Sequence, residues 1–180
     1  HGSSPGAVLL NQRAIVVLGE PGSGKTLLLR ALALELASTC RLDSDGTVRL
    51  GFLPIYVPLA GFTQATADLG AEPAARLLGY IQRVVDADAP DMSAVLDDPM
   101  MQGRVTFLFD ALDEVRSRTE QRAVLSGIQT LATGIGSRCL FAVAVREAAY
   151  HGSLTLKEPF RAYRLAPLTA TSQQAAIRRW

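Results

Sequence analysis

The chain has 180 residues, 48% of them hydrophobic and 19% charged, with a formal net charge of +1. That length fits one domain able to bury a real core, and the balance excludes a disordered chain and gives no electrostatic footprint for nucleic acid. Two cysteines, Cys40 and Cys139, and two histidines, His1 and His151, make neither a disulfide framework nor a metal site at these spacings, so buried, reduced thiols in a cytoplasmic protein are expected.

The opening "HGSSPG" has no initiator Met and no apolar signal core, and residues 1–6 are read as a trimmed flank or cloning remnant outside a domain of residues 7–180. Apolar, β-rich runs follow at residues 14–19 ("AIVVLG"), 52–60 ("FLPIYVPLA"), 105–110 ("VTFLFD"), 139–145 ("CLFAVAV") and 163–168 ("YRLAPL"). Longer helical patterns separate them: "KTLLLRALALELASTC", with Arg30 and Glu35 facing solvent, "AARLLGYIQRVVDA", and "TEQRAVLSGIQTLAT" with Thr119 as its N-cap. Asp45-Gly46 marks a hairpin-like turn before the second strand. The long uncharged stretch at residues 50–67 carries two prolines and a polar second half, which suits a buried strand running into a loop better than a membrane span. This alternation predicts an α/β fold, a three-layer sandwich around a central, mainly parallel sheet of about five strands. Near-continuous apolarity in the first, third and fourth runs says that both faces of the sheet are covered.

Residues 19–26, "GEPGSGKT", satisfy G-x-x-x-x-G-K-[ST] between an apolar strand and a helix, where a phosphate-binding loop must sit. Gly22 and Gly24 let successive amides turn inward toward phosphate oxygens, and the following helix offers its positive N-terminus to the same anion. Lys25 is placed to reach the β- and γ-phosphates and Thr26 to ligate Mg²⁺. The nucleotide contacts expected of this loop run through Gly19, Glu20, Pro21, Gly22, Ser23, Gly24, Lys25, Thr26 and Leu27.

A second element, "VTFLFDALDEV" at residues 105–115, buries a strand and delivers Asp110 at its carboxyl end, where open α/β sheets bind ligands. Asp110 is the candidate metal-binding carboxylate, and Asp113 or Glu114 the candidate to orient and polarise an attacking water. Spacing separates the phosphate-loop classes. In the usual AAA+ and ABC pattern a Glu directly follows the strand-end Asp, whereas here Ala111 follows and the carboxylates return later. "LSGIQ" at residues 125–129 lies after the Asp110 strand, where an ABC signature would precede it, and is read as ordinary helix. Ras-type GTPases would show D-x-x-G and N-K-x-D, whereas here "DALD" at the strand end lacks the Gly and no N-K-x-D occurs, so guanine specificity lacks its usual support.

The pattern hhhhD-[GA]-h-D-E resembles the NACHT family of STAND nucleotide switches. "AIVVLGEPGSGKTLLLRALALELA" is similar to the family's opening, "LPIYVPLAGF" to its second strand, "FLFDALDEV" to its Walker B element and "YRLAPLTATSQQAAIRRW" to the segment leading out of its core. The resemblance implies a P-loop NTPase that binds ATP or ADP with Mg²⁺, hydrolyses ATP slowly, and drives self-association of a larger protein with fused sensor and effector parts, in bacteria often for defence. Ala- and Arg-rich usage points to a bacterial source. Two departures stand out. Where the family carries a "TSR"-type sensor this chain reads "AVREAAY", keeping Arg146 as candidate γ-phosphate sensor, the alternative being an Arg that is solvated or paired with Glu147. The family's helical and winged-helix parts are expected beyond Trp180. Arg116, Arg118 and Arg122 read as a solvated helix face, and Tyr56, Phe62, Tyr150 and Tyr163 as core or rim residues rather than adenine stackers. An AAA+-like motor or a phosphotransferase is the rival class.

Overall fold

The computed structural model describes residues 5–39, 41, 42, 48, 49, 51–70, 72–90, 93, 96, 100 and 103–166. Helix α1 (Pro5–Gln12) takes in the last two residues of the segment expected to be flank. Then come β1 (Ala14–Gly19), α2 (Lys25–Ala37), a short antiparallel pair β2 (Arg41–Leu42) and β3 (Val48–Arg49), and β4 (Leu53–Pro58). After these lie α3 (Phe62–Ala65), α4 (Pro73–Asp88), β5 (Val105–Asp110), α5 (Arg118–Thr133), β6 (Leu140–Arg146) and β7 (Arg161–Arg164). His1, Cys40, the Asp45-Gly46 turn and the "TSQQAAIRRW" segment lie outside the described residues.

Five strands form one sheet in the order β4-β5-β6-β1-β7, and every pairing is parallel. Parallel neighbours need crossovers, and the helices that supply them cover both faces. In β1 the pleat alternates: Ile15 and Val17 meet Leu9 of α1 and Leu29, Leu32 and Leu36 of α2 on one face. Ala14, Val16 and Leu18 belong to the opposite core, with Leu77 and Ile81 of α4 and Val124, Ile128 and Leu131 of α5. All six residues of β1 and of β5 are buried, as the unbroken apolar runs predicted. This is the three-layer α/β sandwich.

Gly127 explains why "LSGIQ" contains a glycine inside α5. A Cβ at that position would lie 2.6 Å from the Pro73 carbonyl oxygen, so the glycine lets α4 and α5 approach closely.

Two local expectations are corrected. The N-cap of α5 is Ser117, not Thr119: Ser117 Oγ accepts the Glu120 backbone N–H at 3.2 Å, one turn ahead of the apolar face that guided the reading. The last strand is Arg161–Arg164, two residues ahead of the start expected at Tyr163, and its residues are exposed, while residues 167 and 168 of the expected run lie outside the described residues. It is an outer strand bonded to β1, so hydrophobicity does not mark it. Cys139 is buried and free, and burial pushes its thiol up from its ordinary value. No helix among the described residues is long and apolar enough to cross a membrane.

Candidate nucleotide site

The carboxyl ends of β1, β5 and β6 open onto a cleft of about 410 Å³. Gly22, Lys25 and Thr26 line one wall, and Asp110, Asp113 and Arg146 another. Residues far apart in sequence therefore meet here, with Gly19 in register beside Arg146.

The loop wall follows from its glycines. Gly22 (φ 74°) and Gly24 (φ 90°) hold left-handed backbone that side chains disfavour. Gly19 is needed for space instead, because a Cβ there would lie 2.5 Å from Ser23 Oγ. The first intrahelical bond of α2 runs from Leu28 N–H to the Gly24 carbonyl at 2.8 Å. The amides of Lys25, Thr26 and Leu27 thus begin the helix ahead of any i−4 carbonyl, the arrangement that attracts anions. Lys25 Nζ donates to the carbonyls of Gly19 and Glu20, each at 2.9 Å, which holds the ammonium over the loop. Ser23 Oγ is buried without a protein partner. A buried hydroxyl of that kind within an amide-rich loop suits a phosphate oxygen. The loop therefore fits a phosphorylated ligand.

The acidic wall is more constrained than the sequence suggested. Asp110 is buried, with Oδ1 accepting the Ala111 N–H at 2.9 Å and Oδ2 accepting the Tyr56 hydroxyl at 2.7 Å. Burial, and then the Asp110 carboxylate, push the Tyr56 phenol up to about 12, so it is a donor at neutral pH. Beyond Asp110 the chain turns left-handed at Ala111 (φ 59°, ψ 42°) into a single 3₁₀ turn, Leu112–Glu114. That conformation costs alanine about 1 kcal/mol relative to glycine. Ala111→Gly is expected to raise the melting temperature by roughly 2–4 °C, measured by calorimetry.

Asp113 does not point freely at the cleft. Its Oδ2 lies 2.7 Å from Arg146 Nε and its Oδ1 accepts the Arg146 backbone N–H at 3.2 Å. Of the alternatives for Arg146, pairing with Glu147 is not what the structure shows, since Glu147 pairs instead with Arg164 on β7. Glu114 remains 54% exposed, 4.0 Å from Arg146.

Of the candidate residues, Pro21, Gly22, Gly24, Lys25, Thr26, Leu27, Asp110, Asp113, Glu114 and Arg146 line this cleft and Gly19, Glu20 and Ser23 do not, while three contributors escaped the sequence reading. Arg30 and Ala111 line it, and Tyr56 reaches it from β4. For Ala111 the [GA] position of the acidic pattern was the available signal. For Arg30 and Tyr56 there was none.

Among the described residues no cluster of three or more acidic, His or Cys side chains could cage a metal. Mg²⁺ asks for less, because it keeps most of its waters and binds through one or two protein oxygens together with substrate phosphates. The carboxylate of Asp110 and the hydroxyl of Thr26 are hard oxygen donors of that type, so the donor set fits.

A wholly parallel sheet with a glycine-rich loop at the end of β1, an invading lysine and a strand-end aspartate two strands away defines a P-loop NTPase. A family model described as the NACHT domain matches residues 13–180, and the chain belongs to that family. It is also similar to the tRNA modification GTPase MnmE of Pseudomonas paraeruginosa and of two Pseudomonas aeruginosa strains, at 29% identity over 132 residues. That match covers 62% of this chain, which spans about 29% of the length of those relatives.

Proposed function

We propose that the chain is the nucleotide-binding core of a STAND-type signalling ATPase, set by ATP or ADP with Mg²⁺ and reset by slow hydrolysis. The observation that carries this is the state of the acidic wall. Asp113 has both oxygens engaged by Arg146, and both oxygens of Asp110 accept protein hydrogen bonds. Glu114 is left as the exposed carboxylate, at the rim. A site with no carboxylate already fixed against an attacking water is suited to holding a nucleotide longer than to turning it over.

In this reading the loop amides and Lys25 bind the phosphates, and Thr26 and Asp110 hold the metal. When bound, Mg²⁺ would neutralise charge on the β- and γ-phosphate oxygens. Glu114 orients a water and accepts its proton, Asp113 fixes the acidic turn to β6, and the Arg146 guanidinium, held by Asp113 through Nε, serves the γ-phosphate. The nucleotide state would govern self-association of a larger protein with sensor and effector parts outside this chain, in the cytoplasm and in a bacterial defence setting.

Denaturing the purified chain and chromatographing the supernatant identifies any retained nucleotide, and steady-state phosphate release gives the rate. Turnover on the order of 10⁻² s⁻¹ or below is expected, as for phosphate-loop switches that carry their arginine in the same chain. Glu114→Gln should lower it by about a hundredfold. Turnover of roughly 1–100 s⁻¹ would favour a motor ATPase or phosphotransferase instead. The similarity to relatives named GTPases supports a second reading, with guanine as the base. Competition of GTP against ATP decides between the two.

A further inference from the structure

We propose that Tyr56 is a positioning residue for the magnesium site: its hydroxyl fixes the Asp110 carboxylate and couples it to the helix that carries Lys25 and Thr26. The inference rests on the reading of Asp110 as a metal-binding group and goes further, to a residue outside the phosphate loop and the acidic motif.

Tyr56 lies on β4, the outer strand beside β5, where it pairs in register with Leu108. From there its hydroxyl crosses to Asp110 Oδ2 at 2.7 Å, and the Ala111 N–H holds the opposite oxygen at 2.9 Å. The carboxylate is therefore fixed at both ends, while each oxygen retains a further lone pair for a metal or its water. Without the hydroxyl, a single backbone bond would set its rotation.

The Tyr56 ring also meets α2. The Arg30 guanidinium lies 5.6 Å from the ring centroid, and Arg30 is one helical turn beyond Thr26. One side chain thus touches the wall that bears the metal-binding carboxylate and the helix that bears the metal-binding hydroxyl. The two walls come from β5 and α2, so their separation is a tertiary property that Tyr56 spans.

Partners of metal-binding groups typically change metal affinity about 10–100-fold when removed. Tyr56→Phe deletes the hydroxyl and keeps the ring beneath Arg30. The test is titration of the nucleotide-free chain with a fluorescent ATP analogue across a series of Mg²⁺ concentrations and in EDTA, beside Asp110→Asn. Tyr56→Phe is expected to raise the half-saturating Mg²⁺ about tenfold while affinity in EDTA stays unchanged, and Asp110→Asn to raise it at least as far. If Asp110→Asn shifts the Mg²⁺ dependence and Tyr56→Phe does not, the inference is overturned and the metal reading of Asp110 stands. If neither variant shifts it, that reading fails and takes the inference with it. Equal weakening by Tyr56→Phe with and without Mg²⁺ would also overturn the proposal, since it would mean general damage to the cleft. Melting of each nucleotide-free variant shows whether the fold is kept.

Discussion

Replacing Lys25 with alanine is expected to weaken binding of ATP and ADP by roughly 10²–10⁴-fold while leaving the fold in place. The reason lies in how the ammonium is held. Gly19 and Glu20 present carbonyls 2.9 Å from Nζ, so the charge is stationed over the loop in the absence of ligand and little ordering remains to be done on binding. A hydrogen bond to a charged group contributes about 1.5–3 kcal/mol, and two such bonds to phosphate oxygens give about 3–6 kcal/mol. Stability should change far less, because the partners lost are main-chain carbonyls and the one on Glu20 lies at an exposed position that water can serve. A shift in melting temperature of no more than about 2 °C is anticipated. Calorimetric titration of parent and variant checks both halves. Affinity within threefold of the parent would mean that the amides alone carry the anion, or that the nucleotide sits elsewhere.

The largest effect on stability is expected from Phe107→Ala. Phe107 is fully buried in β5, with its ring 6.0 Å from Phe109 and 5.4 Å from Phe141 on the neighbouring strand, and Phe141 in turn meets Phe160 edge-on at 6.0 Å. Truncating a buried phenylalanine costs about 3–5 kcal/mol, against a total stability for a domain of about 5–15 kcal/mol. For a chain of this size that corresponds to a fall in melting temperature on the order of 10 °C. The same strand delivers Asp110 three residues later, so the variant should recover part of its melting temperature when saturated with Mg-ATP. Thermal melts with and without nucleotide measure both. A variant melting within 2 °C of the parent would show that the aromatic layer collapses onto the cavity without cost.

These two positions also mark what could be read in advance. The phosphate loop was legible because its residue types and order are dictated by local geometry: a strand, a turn with φ above zero at Gly22 and Gly24, and a helix start. The β1 and β5 strands were legible because burial on both faces demands continuous apolarity. The outer strand β7 was misplaced because "RAYR" is exposed, and its place comes from main-chain bonds to Ile15–Leu18 that leave no apolar trace. The cap of α5 was misplaced because Ser117 and Thr119 are both good caps, and the backbone path chose between them.

Sequence by itself determined the class of fold, the nucleotide loop and the acidic motif, since each is written in a short contiguous stretch whose local physics permits few alternatives. Tertiary structure alone decided the partners of the charged groups. Asp113 and Arg146 are 33 residues apart, and Tyr56 and Asp110 are 54 apart. Such pairs form because the strand order β4-β5-β6-β1-β7 sets their carboxyl ends side by side. A side chain's ion pair depends on which distant backbone ends within a few ångströms of it, and that distance is a property of the folded sheet rather than of any window of sequence.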